Sequence, residues 1–239
     1  MPAPPQLCMI HYMPELVIAT PVRGGEPMSA PVSFGWAAHM RGLCVELGVD
    51  VPIVGYSSDV VRARNRLAAQ ILRERPDTQY VLWWDSDTWP ENRAIVREMM
   101  ALGVDVVSAP HTNKRPPLRW LHQHLKPRPD PVGGLQEVRA VPFGFTMTSV
   151  ACLRAMSEVG RKYTDHPNPH VMADIFGLLY EAPIEGGPPE NDMLLSEDYS
   201  FCSRWRQMGG KVHIYLGAGV LAHDGQHSFS AREMPGAVT

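Results

Sequence analysis

Apolar residues arrive along this chain in short continuous runs, separated by stretches with helical spacing. The runs are 15–20 (Glu-Leu-Val-Ile-Ala-Thr), 51–54, 79–84 (Gln-Tyr-Val-Leu-Trp-Trp) and 104–109 (Val-Asp-Val-Val-Ser-Ala). Runs of this length, stopped by Pro, Gly or acids, predict buried strands. Between them Val32, Trp36, Met40, Leu43 and Leu47 recur at helical spacing over 32–47. Val60, Leu67, Ile71 and Leu72 do so over 59–75, where Ser58 is placed to cap. A third helix is predicted from about 89 to 102. Strand and helix alternate four times in the first 110 residues. That alternation, with strands apolar on both sides, predicts an α/β fold. Its expected form is a mainly parallel, twisted sheet with helices on both faces, in three layers. Ligands of such sheets lie beyond the carboxyl ends of the strands, so the residues after each strand are the candidates for chemistry.

The second half is less regular. Residues 110–136 are rich in Pro, His and basic side chains. A strand is predicted around Phe143-Gly144-Phe145, a helix over 151–159, and a stronger helix over 197–208. Strands follow near 211–216 and 219–222, and 160–195 reads as irregular. No internal repeat is visible. With 239 residues, 44% hydrophobic and 20% charged, one domain with a packed core is expected. Its nucleotide-binding half is placed at about 14–110 and its acceptor-binding half at about 111–230 once the resemblance below is considered.

A net charge of −3 sets the chain against general nucleic-acid binders, which are usually basic. No apolar run of about 18 residues exists, so no transmembrane segment is expected. Met1-Pro2-Ala3-Pro4-Pro5 lacks the pattern of a secretory signal. Four scattered cysteines with no CxxC fit a reduced, cytoplasmic protein.

The third strand runs straight into Asp85-Ser86-Asp87. At i, i+2 in extended chain the two carboxylates project to one side and repel, and one is pushed toward protonation. A divalent cation removes that conflict, and hard oxygen donors suit Mg²⁺ or Mn²⁺, which in turn hold phosphate oxygens. The competing reading is a turn plus helix cap, but Thr88-Trp89-Pro90-Glu91 has the form of a capping box and leaves neither Asp needed for it. Glu197 and Asp198 open the last helix. They serve either its dipole or, as a base, an attacking hydroxyl; the dipole would keep such a base ionised. His223, at the end of another apolar run, is either a satisfied histidine or a return to the metal. Residues 111–128 carry Lys114, Arg115, Arg119, Lys126 and Arg128. They read as a solvated loop, or as a flap over a diphosphate or an anionic acceptor. His122 and His124 make a poor separate metal site without an acid or Cys partner. Tyr163, Phe176 and Tyr180 read as sugar-facing rings or as local core.

Together these segments resemble a GT-A-type glycosyltransferase, within a bacterial and phage branch of family-2-like transferases. The resemblance spans about 14–230. It rests on Val17-Ile18-Ala19-Thr20-Pro21, Arg62-Ala63-Arg64-Asn65, Asp85-Ser86-Asp87, Phe143-Gly144-Phe145-Thr146 and Ser196-Glu197-Asp198-Tyr199. Gly209-Gly210-Lys211 and His223-Asp224-Gly225 complete it. A lone DxD is weak; the segments in this order are specific. The resemblance implies a single GT-A domain and transfer of a sugar from a nucleotide-diphosphate sugar, UDP by family default, to a hydroxyl acceptor. The expected outcome is inversion, with Mn²⁺ or Mg²⁺ present. It implies that Thr20 and Pro21 border base and ribose, that Arg64 approaches the diphosphate or donor sugar, and that Asn65 supports that loop. Asp85 meets ribose or metal, Asp87 and His223 ligate metal, and Gly144 lets backbone approach the sugar. Asp198 is the catalytic base and Glu197 holds hydroxyls. The acceptor class stays open between glycan, glycolipid, protein and small molecule. Two other readings are a sugar-phosphate nucleotidyltransferase, of which Arg23-Gly24-Gly25 is a faint echo, and a non-catalytic nucleotide-sugar-binding module.

Overall fold

The structure is a computed structural model describing residues 15–23, 34–49, 53–57, 59–113, 117–165, 168–181, 192–217, 221–224 and 228–230. Its elements begin with β1 (Leu16–Arg23), α1 (Phe34–Leu47), β2 (Ile53–Ser57), α2 (Val60–Glu74), β3 (Tyr80–Trp84), β4 (Thr88–Pro90), α3 (Ile95–Ala101) and β5 (Val106–Ser108). They continue with β6 (Gln123–His124), β7 (Leu135–Ala140), β8 (Phe145–Ser149), α4 (Val150–Val159), β9 (Lys162–Asp165) and β10 (Asn168–Ala173). The last are β11 (Tyr180–Glu181), β12 (Met193–Leu194), α5 (Glu197–Gln207), β13 (Val212–Tyr215), β14 (Leu221–Asp224) and β15 (Ser228–Ser230).

An eight-stranded sheet in the order β2-β1-β3-β8-β5-β13-β7-β6 forms the centre. Its strands are apolar on both faces because both faces are covered. Along β3, Val81 and Trp83 enter one core with Leu67 and Ile71 of α2, Cys152 and Leu153 of α4 and Phe201 of α5. Leu82 and Trp84 point the other way, among Met40 and Leu43 of α1 and Ile95 and Met99 of α3. The period of two in the strand thus divides two cores, and the three-layer α/β/α arrangement follows.

The sheet is mixed rather than mainly parallel. β1 runs parallel to β2 and β3, and β5 parallel to β13. β8 lies antiparallel between β3 and β5, and β7 antiparallel to both β13 and β6. Apolar runs predict strands but carry no direction. β7 and β8 run the same way, and only 141–144 join them, too few for the crossover helix of a βαβ unit.

Caps also differ from expectation. Ser58 lies outside the described residues; α2 is capped by Asp59, whose Oδ1 accepts from Val61 N–H at 2.9 Å. The capping box at Thr88 does not form. Residues 88–90 are instead β4, paired with β14, and α3 starts only at Ile95. The Thr88 hydroxyl donates to the Gly144 carbonyl at 2.7 Å, a tertiary bond that outcompetes the local cap.

Candidate active site

The carboxyl end of β3 is fixed by a single carbonyl. Gly144 O accepts from Asp85 N–H at 2.9 Å and from the Thr88 hydroxyl, so the turn carrying Asp85 and Asp87 is pinned to the start of β8. The position is closely packed. A Cβ there would stand 3.2 Å from His111 Nε2, 3.4 Å from Thr88 Cγ2 and 3.6 Å from Asp85 Oδ2. Gly144 is buried and supports the acid turn from beneath.

Arg64, from α2, reaches this turn through the core. It is 2% exposed. Its Nη2 donates to Asp85 Oδ1 at 3.1 Å, and its Nε lies 3.5 Å from Glu197 Oε1 at the start of α5. Three rings surround its guanidinium carbon: Phe143 at 5.6 Å and Trp83 and Phe176 at 6.0 Å, measured to the ring centroids. Such cation–π contacts in a dry setting favour the charge. Arg64 therefore joins the acids of two segments more than a hundred residues apart.

Asn65, the next residue, is equally buried. Its Oδ1 accepts from the backbone N–H groups of Ile175 (3.1 Å) and Phe176 (3.0 Å), and its Nδ2 donates to Asp174 at 2.9 Å. It clamps the loop that sets Phe176 against Arg64. Of the three rings with an open reading, Phe176 is core, Tyr163 is half-buried and Tyr180 is exposed.

The acids act on each other. Burial pushes the Asp85 carboxyl up to about 6, with Asp87, Glu197 and Asp198 adding repulsion and Arg64 pulling it down. Burial, then Glu197, also pushes Asp198 upward. A hydrogen bond from the Ser196 hydroxyl, the Arg64 charge and the Tyr199 N–H work against that rise. The helix dipole thus does not keep Asp198 an ordinary carboxylate; desolvation wins. Its Oδ1 accepts from Tyr199 N–H at 2.8 Å and from Ser196 Oγ.

Thr20 and Pro21 lie in β1 beside this end of the sheet, in register with Val54 and Gly55. Thr20 is fully buried, and its Oγ1 has no hydrogen-bond partner among the described residues. His223 is placed by its backbone opposite Thr88, at the acid turn; its side chain lies outside the description. The segments at Thr20, Arg64, Asp85, Gly144, Glu197 and the His223 backbone therefore lie at one rim, whereas Gly209-Gly210-Lys211 precedes β13 at the other end of the sheet. The ring cage, the Asn65 clamp and buried His111 were not legible, because no local spacing ties residues 64 and 65 to 143 and 174–176.

The basic loop is tied to α5 by the Tyr199 hydroxyl, which donates to Leu121 O. Within it the His122 and His124 rings stand edge-on, 4.7 Å apart, and burial lowers His122 to about 4. Among the described residues, no three His, Cys, Asp or Glu side chains form a preassembled metal cage. No described helix is long and apolar enough to cross a membrane.

No family model matches the chain. No curated protein matches it either. Among solved structures it is similar to A197 from STIV, at TM-score 0.51 and 15% identity, over 88% of this chain and 85% of that one. A likeness at this identity establishes a shared mixed α/β fold.

Proposed function

We propose that this chain is a metal-dependent glycosyltransferase of the GT-A type. It would move a sugar from a nucleotide-diphosphate sugar, UDP-linked by preference, to a hydroxyl acceptor with inversion. The observation that carries the reading is the gathering of Asp85, Glu197 and Asp198 about the buried guanidinium of Arg64, with Asp87 beside Asp85.

The donor set suits a hard divalent cation. Asp85 and Asp87 offer carboxylate oxygens, and their mutual repulsion is what such an ion relieves. Mg²⁺ and Mn²⁺ sites at phosphates use one or two carboxylates and complete their shell with phosphate oxygens and water, so no closed protein cage is needed. When bound, the ion neutralises charge growing on a departing diphosphate. Asp85 and Asp87 would hold it, with His223 as the third candidate.

The remaining chemistry belongs to the chain. Asp198 accepts the proton of the attacking hydroxyl. Its Oδ1 is already engaged by Tyr199 and Ser196, which leaves Oδ2 for the proton. An upward-shifted carboxyl is a better base near neutral pH than an ordinary one. Glu197, oriented by Arg64, holds a sugar hydroxyl. Arg64 keeps the acid groups in one geometry, and Thr20 and Pro21 form the floor of a base and ribose site.

The test is Asp87→Ala. It should abolish donor hydrolysis and transfer while leaving the melting temperature within a degree or two of wild type. UDP should raise the melting temperature of the wild-type protein only with Mn²⁺ present, by mass action on the folded form. Full activity in the variant removes the proposal, and pyrophosphate release from a nucleoside triphosphate would replace it with nucleotidyl transfer.

A further inference from the structure

Helix α5 carries more than the acids at its start. Tyr199, Ser203 and Gln207 stand at i, i+4 spacing and share one face. That face borders a cleft of about 310 Å³, within the range of small-molecule sites, about 300–1,000 Å³. Gln123 of β6, Arg139 of β7 and Glu181 of β11 belong to its other walls. The cleft reaches the proposed base, because Tyr199 lines it and donates its N–H to Asp198 Oδ1 at 2.8 Å. Gln207 also lines it and stands about 12 Å further along the helix axis, at about 1.5 Å per residue.

The polar groups of this cleft form a chain. Gln207 Nε2 donates to Ser203 Oγ at 3.3 Å, the Ser203 hydroxyl donates to Glu181 Oε1, and Arg139 Nη2 donates to Glu181 Oε2. The Gln123 amide brings further donors and an acceptor. Charges here are matched in pairs. Arg139 meets Glu181, and Arg206, also in the wall, meets Glu137 at 3.3 Å. A charged ligand would have to break one of these pairs and leave a partner uncompensated. A ligand with many hydroxyls need not, since each hydroxyl both donates and accepts, and networked amide, carboxylate and guanidinium groups offer fixed directions to it. The Tyr199 ring adds an apolar flank for the C–H side of a sugar.

We propose that this cleft binds a neutral oligosaccharide, which is the acceptor of the transfer argued above. The sugar to be extended lies at Asp198, and at least one further unit lies along α5. The second unit is required because Gln207 is too far from Asp198 for one sugar ring to reach both. The acceptor hydroxyl loses its proton to Asp198 Oδ2 and its oxygen bonds the anomeric carbon of the donor. The bond from that carbon to the diphosphate breaks, and the electron pair leaves on the phosphate oxygen. The acceptor role rests on the transferase reading, whereas glycan binding in the cleft does not.

The experiment is an array of neutral and anionic oligosaccharides, lipids and peptides, probed with the labelled full chain without donor or metal. Wild type should hold neutral disaccharides and longer chains more tightly than the corresponding single sugars. Gln123→Ala and Gln207→Ala should each weaken this by about two- to tenfold, the value of one hydrogen bond, with melting curves verifying the fold. Asp87→Ala should bind them as wild type does. With a bound oligosaccharide as acceptor, Mn²⁺ and UDP-glucose, UDP-galactose or UDP-N-acetylglucosamine should lengthen it by one unit, and Gln207→Ala should raise the acceptor KM by the same factor. An array without signal overturns the proposal. So does binding confined to anionic glycans, lipids, peptides or single sugars, or a neutral-glycan signal that both glutamine variants leave untouched. Neutral glycans held through both glutamines but lengthened from none of the donors overturn the acceptor role and keep the cleft as a glycan site. Transfer that persists in Asp87→Ala overturns the metal-dependent reading and leaves the cleft standing.

Discussion

Asn65 is the clearest place to test how the site is held together. Replacing it with Ala removes one acceptor that serves two buried donors, the N–H groups of Ile175 and Phe176, and one donor to Asp174. The variant leaves the Phe176 N–H inside the protein without its acceptor, whereas the Ile175 N–H keeps the Ala173 carbonyl at 3.1 Å. A buried polar group left unsatisfied costs about 1–3 kcal/mol. One such group gives a loss of about 1–3 kcal/mol, appreciable against a total stability of about 5–15 kcal/mol. With a urea slope near 3 kcal/mol/M, at the upper end of the small-protein range, the midpoint should fall by about 0.3–1 M. The assay is urea unfolding followed by tryptophan fluorescence, which also reports on Trp83 beside the loop. Gln70→Ala on the exposed face of the same helix is the control and should stay within about 0.5 kcal/mol. A loss in Asn65→Ala no larger than the control's would refute the clamp, and with it the account of how Phe176 is set against Arg64.

Arg64→Met should push the Asp85 carboxyl above its value of about 6, because Arg64 is the group that pulls it down; ¹³C NMR of the carboxyl reads this, and an unchanged midpoint would disprove the pairing. The raised folded value also fixes a sign. Asp85 contributes stability that is fully present below its ordinary 3.8 and is lost as pH rises through about 6. Asp85→Asn, which mimics the protonated form, should therefore gain on wild type in urea unfolding between pH 4 and pH 7, and a pH-independent difference would contradict it. Thr148→Val removes the acceptor of the buried Trp83 Nε1–H, 2.9 Å away, and should cost about 1–3 kcal/mol by thermal unfolding.

Much of the first half was legible because its signals are local. Continuous runs such as Val81-Leu82-Trp83-Trp84 can only be buried on both faces, and the two cores separate them residue by residue. Helix α5 was expected over 197–208 and spans Glu197–Gln207. What failed was decided by distant partners. Thr88-Trp89-Pro90 carries a capping pattern, yet β14 claims it as a strand. Strand direction in the second half was invisible for the same reason: a run around residue 145 is equally apolar whether it runs with β3 or against it. In the site, the carboxylates stood out as acids after apolar runs. Asn65 was named only through the resemblance, and its hold on Ile175, Phe176 and Asp174 was not foreseen, because a buried amide that satisfies backbone in another segment leaves no trace in its own neighbourhood. His111 did not stand out, since a lone histidine after a strand is usually a satisfied one.

The electrostatics of the rim follow from one imbalance. Among the described residues, Asp85 and Glu197 touch the buried Arg64 guanidinium, Asp198 lies within reach of its charge, and Asp87 stands beside Asp85. The ring cage of Arg64 keeps water out, so its field reaches the acids with little screening. Even so, that charge does not offset the burial of Asp85 and Asp198. The deficit shows as the raised Asp85 and Asp198 carboxyls, which take up protons that solvent-exposed acids would release. A ligand carrying only negative charge, such as a diphosphate alone, would worsen the repulsion. A cation arriving with it would reverse the sign, and the acids that repel one another would then hold the pair. On the proposed reading, nucleotide affinity and divalent cation should accordingly be coupled at this rim through Asp85 and Asp87.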